Sequence, residues 1–136
     1  MRLILKSIGI FLALGSLALG QPPAIERQVN GRSDTNINAG IFFTIRHDCT
    51  AGPLPVIRLL TPPTHGKVVM KQGRLRATNL RQCLGTELPA FVAIYRSAAN
   101  FIGKDVFTIE VIDAAGKAQI QRITVSVGNP IPDRGI

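Results

Sequence analysis

The sequence predicts an all-β protein built as a sandwich of about seven short strands. Stretches of alternating apolar and polar residues are separated by turn-forming residues at close spacing, and no segment has the period of a long helix. Of the 136 residues, 46% are hydrophobic and 18% are charged, which excludes an intrinsically disordered chain. The 9 prolines and 13 glycines suit many turns, and the length suits one domain.

Residues 1–20 have the three parts of a secretory signal peptide. Arg2 and Lys6 provide the positive start, an apolar segment of about a dozen residues follows, and Ala18 and Gly20 are the small residues before a cleavage site. An uncleaved membrane anchor is the alternative, but it needs about 20 apolar residues. We therefore expect export and cleavage, and no membrane span in the mature chain. The expected order is then a flexible lead-in over 21–38, the sandwich over 39–128 and a C-terminal tail over 129–136.

The strands are predicted from the alternation of apolar and polar side chains. In chain order they cover residues 41–46, 56–60, 67–71, 74–78, 91–96, 107–112 and 118–127, and the lead-in holds a candidate edge strand near 25–29. Gln72-Gly73 is a hairpin signal that divides 67–78 into two strands. The apolar residues of the last strand change phase, so we expect a β-bulge near Gln121 and Arg122.

Two cysteines, Cys49 and Cys83, remain in the exported chain. An even count in an exported protein predicts one disulfide, here across 34 residues, and two free buried thiols are the alternative. The chain has no C-x-x-C motif, so a thioredoxin-like activity has no support.

The formal charge is +8, and it falls to +6 if Arg2 and Lys6 leave with the signal. The candidate residues for a polyanion-binding surface are Arg74, Arg76, Arg96 and Arg122. Such a surface would attract acidic polysaccharide or a similar polymer. The interpretation that we favour is a dispersed, solvated set of charges that keeps the protein soluble, with the polyanion-binding surface as the alternative. A dedicated nucleic-acid partner is not expected, because the sequence has no helix-turn-helix pattern, no zinc-finger spacing and no aromatic stacking platform.

The sequence contains no convincing catalytic or metal-binding constellation, and no cofactor is expected. His47, Asp48 and Cys49 are adjacent, yet neighbouring residues of a strand point to opposite faces, and Cys49 is better assigned to the disulfide. The polar and glycine residues at strand ends are assigned to turns instead: His65, Gly66, Gly103, Asp105, Asp113 and Gly116.

Three segments resemble bacterial cadherin-like, Ig-like repeat domains. They are P-T-H-G-K-V at 63–68, Tyr95, and F-I-G-K-D-V-F-T-I-E-V-I-D-A-A-G at 101–116. The resemblance covers about residues 55–127 and implies an Ig-like sandwich. Ser97 departs from the pattern, which has proline there, and the two cysteines lie outside it. Tandem members bind calcium through acidic linkers, but the C-terminal tail has one carboxylate, so calcium is not carried over.

The function expected from this combination is that of an exported, non-catalytic sandwich with a binding or structural role in the periplasm, at the cell surface or in the medium. The candidate partners are anionic polysaccharide and another surface protein. A basic polyanion-binding protein is the alternative, and a small secreted enzyme or enzyme inhibitor is the second alternative.

Overall fold

A computed structural model describes residues 23–78 and 80–128, and Gly15 besides. Seven strands form in this part of the chain. They are β1 (Ile25–Arg32), β2 (Ile37–Phe42), β3 (Val56–Thr61), β4 (Gly66–Arg76), β5 (Glu87–Ser97), β6 (Gly103–Ile112) and β7 (Ala118–Gly128). A single 3₁₀ turn at Arg81–Cys83 lies between β4 and β5.

The strands form two sheets, with the order β1-β7-β6-β3 in one and β2-β5-β4 in the other. The protein is therefore a seven-stranded β-sandwich, which confirms the predicted fold class. The second to seventh strands have the order of an Ig-like sandwich, in which the second, fifth and fourth strands form one sheet and the third, sixth and seventh the other. β1 pairs in parallel with β7 and completes the four-stranded sheet.

The core lies between the two sheets and is built from the inward-facing residues of each strand. Phe107 and Ile109 of β6 and Ile123 of β7 are fully buried, and they meet Tyr95 of β5 from the opposite sheet. The rings of Tyr95 and Phe107 are parallel, with centroids 6.2 Å apart. Burial of each such large apolar side chain contributes about 1.5–3 kcal/mol relative to exposure.

The predicted flexible lead-in over 21–38 is wrong for most of its length. Residues Ile25–Arg32 form β1, and β2 already begins at Ile37, so the sandwich starts well before residue 39. β1 covers and extends the candidate edge strand near 25–29. The partner of β1 is β7, at the other end of the sequence. The local alternation of residues 25–29 therefore could not show that β1 pairs with another strand along its whole length.

The predicted hairpin at Gln72-Gly73 is also wrong. β4 continues through both residues, and its register with β5 is unbroken from Gly66↔Ser97 to Arg76↔Glu87. A two-residue hairpin needs positive φ at Gly, and Gly73 has none. The 11-residue partner β5 explains why one long strand forms here.

β2 and β7 also differ in detail from the prediction. The strand expected over 41–46 is β2, which ends at Phe42, and a register shift between Asn38 and Gly40 lets Ala39 join the core. The expected bulge near Gln121 does not form, because β6 and β7 stay in register throughout. Gln121 instead occupies an inward position, where its Oε1 accepts a hydrogen bond of 3.1 Å from Arg27.

The predicted signal peptide (apart from Gly15) and the tail over 129–136 lie outside the described residues. No helix in the described part of the chain is long and apolar enough to cross a membrane.

Candidate functional site

The most elaborate polar cluster surrounds the buried carboxylate of Asp105, on β6. Tyr95 donates its hydroxyl to Oδ2 at 2.7 Å, and the backbone N–H of His65 donates to the same oxygen at 2.9 Å. The backbone N–H groups of Thr64 and Val106 each donate to Oδ1 at 3.0 Å. The carboxylate therefore joins the turn before β4 to both sheets.

These contacts determine the protonation states of both side chains. Burial raises the pKa of Asp105, but the hydrogen bonds from Tyr95, His65, Thr64 and Val106 outweigh it and hold this pKa below its usual value of 3.8. Burial, the hydrogen bond to Asp105 and the negative charge of that carboxylate all raise the pKa of Tyr95 well above its usual range. At neutral pH the pair is a carboxylate and a neutral phenol, and both are occupied in holding the fold together.

His65 lies in the turn beside this cluster, and Gly66 is the first residue of β4. The imidazole of His65 stacks on Phe101, with ring centroids 4.3 Å apart and an interplanar angle of 9°. A Cβ at Gly66 would lie 2.6 Å from the Arg96 carbonyl oxygen and 2.7 Å from the Tyr95 ring, so this position needs glycine. Gly103 has a φ of +143°, a conformation that side-chain-bearing residues rarely adopt.

Asp113 occupies the turn between β6 and β7, at the other end of β6 from Asp105. Its Oδ1 accepts hydrogen bonds from the backbone N–H groups of Ala115 and Lys117, at 3.0 and 2.9 Å. Gly116, with a φ of +83°, donates its N–H to the Asp113 carbonyl oxygen. This is a local turn stabilised by a side chain, and its carboxylate lies too far from Asp105 to act with it.

The four arginines considered for polyanion binding do not form one surface. Arg74 and Arg76 lie on one face of β4 and share Glu87, at 3.5 and 3.4 Å. Arg96 lies on the opposite face of that sheet and pairs with Asp34 at 3.0 Å. Arg122 lies on the other sheet, 3.6 Å from Glu26.

The predicted disulfide is present. Cys49 and Cys83 are bonded, with their Cα atoms 5.3 Å apart, and they join the β2–β3 connection to the β4–β5 connection. His47 and Arg46 border a shallow cavity of about 410 Å³ next to this bond. With the sulfur of Cys49 bonded to Cys83, the His47-Asp48-Cys49 segment has no thiol to use as a nucleophile. The carboxylate of Asp48 accepts hydrogen bonds from the Thr50 hydroxyl and N–H, which lower its pKa.

Two central strands, β7 and β5, present different side chains on the outer faces of their sheets. β7, in the middle of the four-stranded sheet, presents Arg122, Thr124 and Ser126 outward, as expected for a solvated sheet face. β5, in the middle of the three-stranded sheet, presents Val92 and Ile94 instead.

Neighbouring strands enlarge this apolar area, which we call the β2-β5-β4 outer face. Ile41 pairs with Val92, and Val69 pairs with Ile94. The exposed fractions of Ile41 and Val69 are 40% and 51%. Leu75 continues the area towards a cavity of about 310 Å³ that Ile41, Phe43 and Leu80 also line.

Sequence analysis missed this face because it placed the strand that is β2 at residues 41–46, too far along the chain, and because it divided β4 into two strands. Of the described residues, none forms a cluster of three or more histidine, cysteine or acidic side chains that could hold a metal ion.

Comparison of the chain with protein-family models, with curated proteins and with solved structures gives no match.

Proposed function

We propose that the protein is an exported, non-catalytic binding module, and that it binds a partner protein through the three-stranded sheet. The carrying observation is the apolar area of the β2-β5-β4 outer face, which consists of Ile41, Val69, Val92 and Ile94. The cations that border this area are Lys67, Lys71 and Arg96. In an antiparallel sandwich each sheet buries one face and normally exposes a polar one, so an apolar exposed area indicates a binding surface.

The polar groups of the molecule support a non-catalytic role. The carboxylate of Asp105 accepts hydrogen bonds from five groups of the fold, and that of Asp113 organises a turn. The phenol of Tyr95 is fully buried against Asp105. Each of these groups is bonded to a structural partner. An active-site acid or base, in contrast, needs access to a substrate.

The proposed location outside the cytoplasm rests on two features. The disulfide between Cys49 and Cys83 is of a kind that persists in oxidising compartments. Residues 1–20 have the pattern of a secretory signal. The resemblance to bacterial cadherin-like domains leads to the same expectation of a surface or secreted module.

The proposal is tested by photocrosslinking in cells that express the full chain. A photoreactive amino acid replaces Ile41 or Val69 on the β2-β5-β4 outer face, and Thr124 on the other sheet is the matched control. We expect a crosslinked species of defined mass from positions 41 and 69 that position 124 does not give, in the fraction outside the cytoplasm. Equal crosslinking from all three positions, or none from positions 41 and 69, contradicts the proposal.

A further inference from the structure

β4 is the longest of the four edge strands in the described sandwich. It spans 11 residues, and its outer edge has no neighbouring strand in the described part of the chain. The edges β2 and β3 have six residues each and contain register shifts, which is a common protection against pairing. β4 has no shift, so its edge offers a regular row of backbone N–H and C=O groups.

An apolar cavity lies directly beside this edge. It has a volume of about 400 Å³ and opens between the two sheets, where Met70 and Phe91 face Val56 and Ile57. Val56 is 53% exposed in this position. A strand added beside β4 would place every second side chain on the face of the sheet that borders this cavity. Apolar side chains at these positions would be buried in the cavity.

The charge on β4 restricts what this added strand can be. β4 carries four cations and no acidic residue: Lys67, Lys71, Arg74 and Arg76. Glu87 of β5 pairs with both arginines, while neither lysine has a carboxylate within salt-bridge distance in the described chain. Two copies of β4 side by side would bring like charges together, which disfavours a second copy of this chain.

We propose that the edge of β4 accepts an extended acidic segment of a partner protein as an added strand. Lys67 and Lys71 lie on one face of β4, about 13 Å apart. The matching segment carries acidic residues four positions apart with apolar residues between them. This proposal rests on the binding role proposed above and names the partner's chemistry.

The test uses the oxidised protein and a fluorescently labelled peptide, Ser-Glu-Val-Val-Val-Glu-Ser, in an anisotropy titration at low salt. In two further peptides, alternate backbone nitrogens are N-methylated. One peptide is methylated along one edge of the extended chain, and the other peptide along the opposite edge. We expect the parent peptide and one N-methylated peptide to bind, and the other to lose binding, because only one edge pairs with β4. Equal binding of both N-methylated peptides overturns strand addition.

A charge reversal tests the assigned lysines. The double variant Lys67→Glu and Lys71→Glu should weaken binding of the acidic peptide about tenfold or more and should favour the peptide with lysine in place of glutamate. The matched control is Lys104→Glu with Lys117→Glu, which changes the net charge equally at two other exposed positions. Equal weakening by both double variants overturns the assignment to β4.

The outcomes also separate this proposal from the proposed function. If position 41 crosslinks a partner in cells while no acidic peptide binds the purified protein, the assignment to β4 is wrong and the binding role stands. If neither position 41 nor position 69 gives a crosslink, the binding role itself is contradicted.

Discussion

The Asp105 carboxylate accepts hydrogen bonds from the turn before β4, from β5 and from its own strand. Replacement of Asp105 by asparagine keeps the size of the side chain but replaces one acceptor oxygen with an NH₂ group, which is a donor. At least one of the surrounding N–H or O–H groups then loses its partner in a buried site. We expect Asp105→Asn to lower the free energy of unfolding by about 3 kcal/mol, measured by urea denaturation at neutral pH.

Asp113→Asn is the matched control for this substitution. Asp113 is exposed, and the amide oxygen of asparagine can accept the same two N–H bonds, so we expect a loss below about 1 kcal/mol. Comparable losses at positions 105 and 113 would show that the Asp105 cluster does not stabilise the fold as described.

Tyr95 gives a direct spectroscopic test, because it is the one tyrosine in a chain without tryptophan. Its raised pKa in the folded state means that folding favours the protonated phenol. The resulting stability is fully present below the unfolded pKa, about 10, and is lost as the pH rises towards the higher folded value. We expect phenolate absorbance to appear together with unfolding above about pH 10. Ionisation near this pH in a chain that is still folded would contradict the buried Tyr95–Asp105 pair.

At the scale of the strand, Gly73 distinguishes a continuous β4 from a hairpin. Gly73 lies inside β4 without positive φ, and a Cβ there would have no heavy atom within 4 Å. A β-branched residue should therefore suit the extended backbone. We expect Gly73→Thr to raise the free energy of unfolding by about 0.5–1 kcal/mol.

Gly66→Ala is the comparison for this strand. The added methyl group would collide with the Arg96 carbonyl oxygen and the Tyr95 ring, so we expect destabilisation. A loss of stability on Gly73→Thr, measured in the same denaturation experiment, would instead favour a turn at Gln72-Gly73.

Strands with a clear alternation of apolar and polar residues in their own sequence could be predicted well. Strands whose length depends on pairing with a distant strand could not. The predictions over 56–60 and 118–127 match β3 and β7 within one residue at each end. β1 was underestimated because its parallel partner is β7, and β4 was divided because the local glycine signal outweighed the long partner β5. Local turn chemistry competes with pairing along the whole strand, and only the three-dimensional fold shows which prevails.

The same limit applies to the candidate sites. The pattern around Phe107 indicated a turn role for Asp105, but its donors Tyr95 and His65 come from other parts of the chain. The four candidate arginines were weighed as one basic surface against a dispersed set of charges. The folded chain disperses them, because Arg96 lies on the other face of its sheet from Arg74 and Arg76, and Arg122 lies on the other sheet.

At the scale of the whole molecule, the disulfide restrains two irregular connections outside the sheets. Loop-closure entropy for a separation of 34 residues suggests a contribution of about 3–4 kcal/mol. We expect reduction with dithiothreitol to lower the melting temperature clearly and to leave the far-UV circular dichroism at low temperature unchanged, because the two sheets contain neither cysteine.

The variant with alanine at both cysteines should behave like the reduced protein. A melting curve that reduction does not move would contradict the stabilising role, and a loss of β signal at low temperature would show that the sheets depend on the bond.

The parallel pairing of β1 with β7 determines how the molecule would respond to mechanical force. Ile25 lies opposite Gln121 and Arg32 lies opposite Gly128, so the described chain enters at one pole of this strand pair and leaves at the other. Tension between these two points would slide β1 along β7 and strain their evenly spaced hydrogen bonds simultaneously, whereas a hairpin pulled at its open end separates one bond at a time. A module of this construction can bear tension between residues 25 and 128 without opening first at its ends.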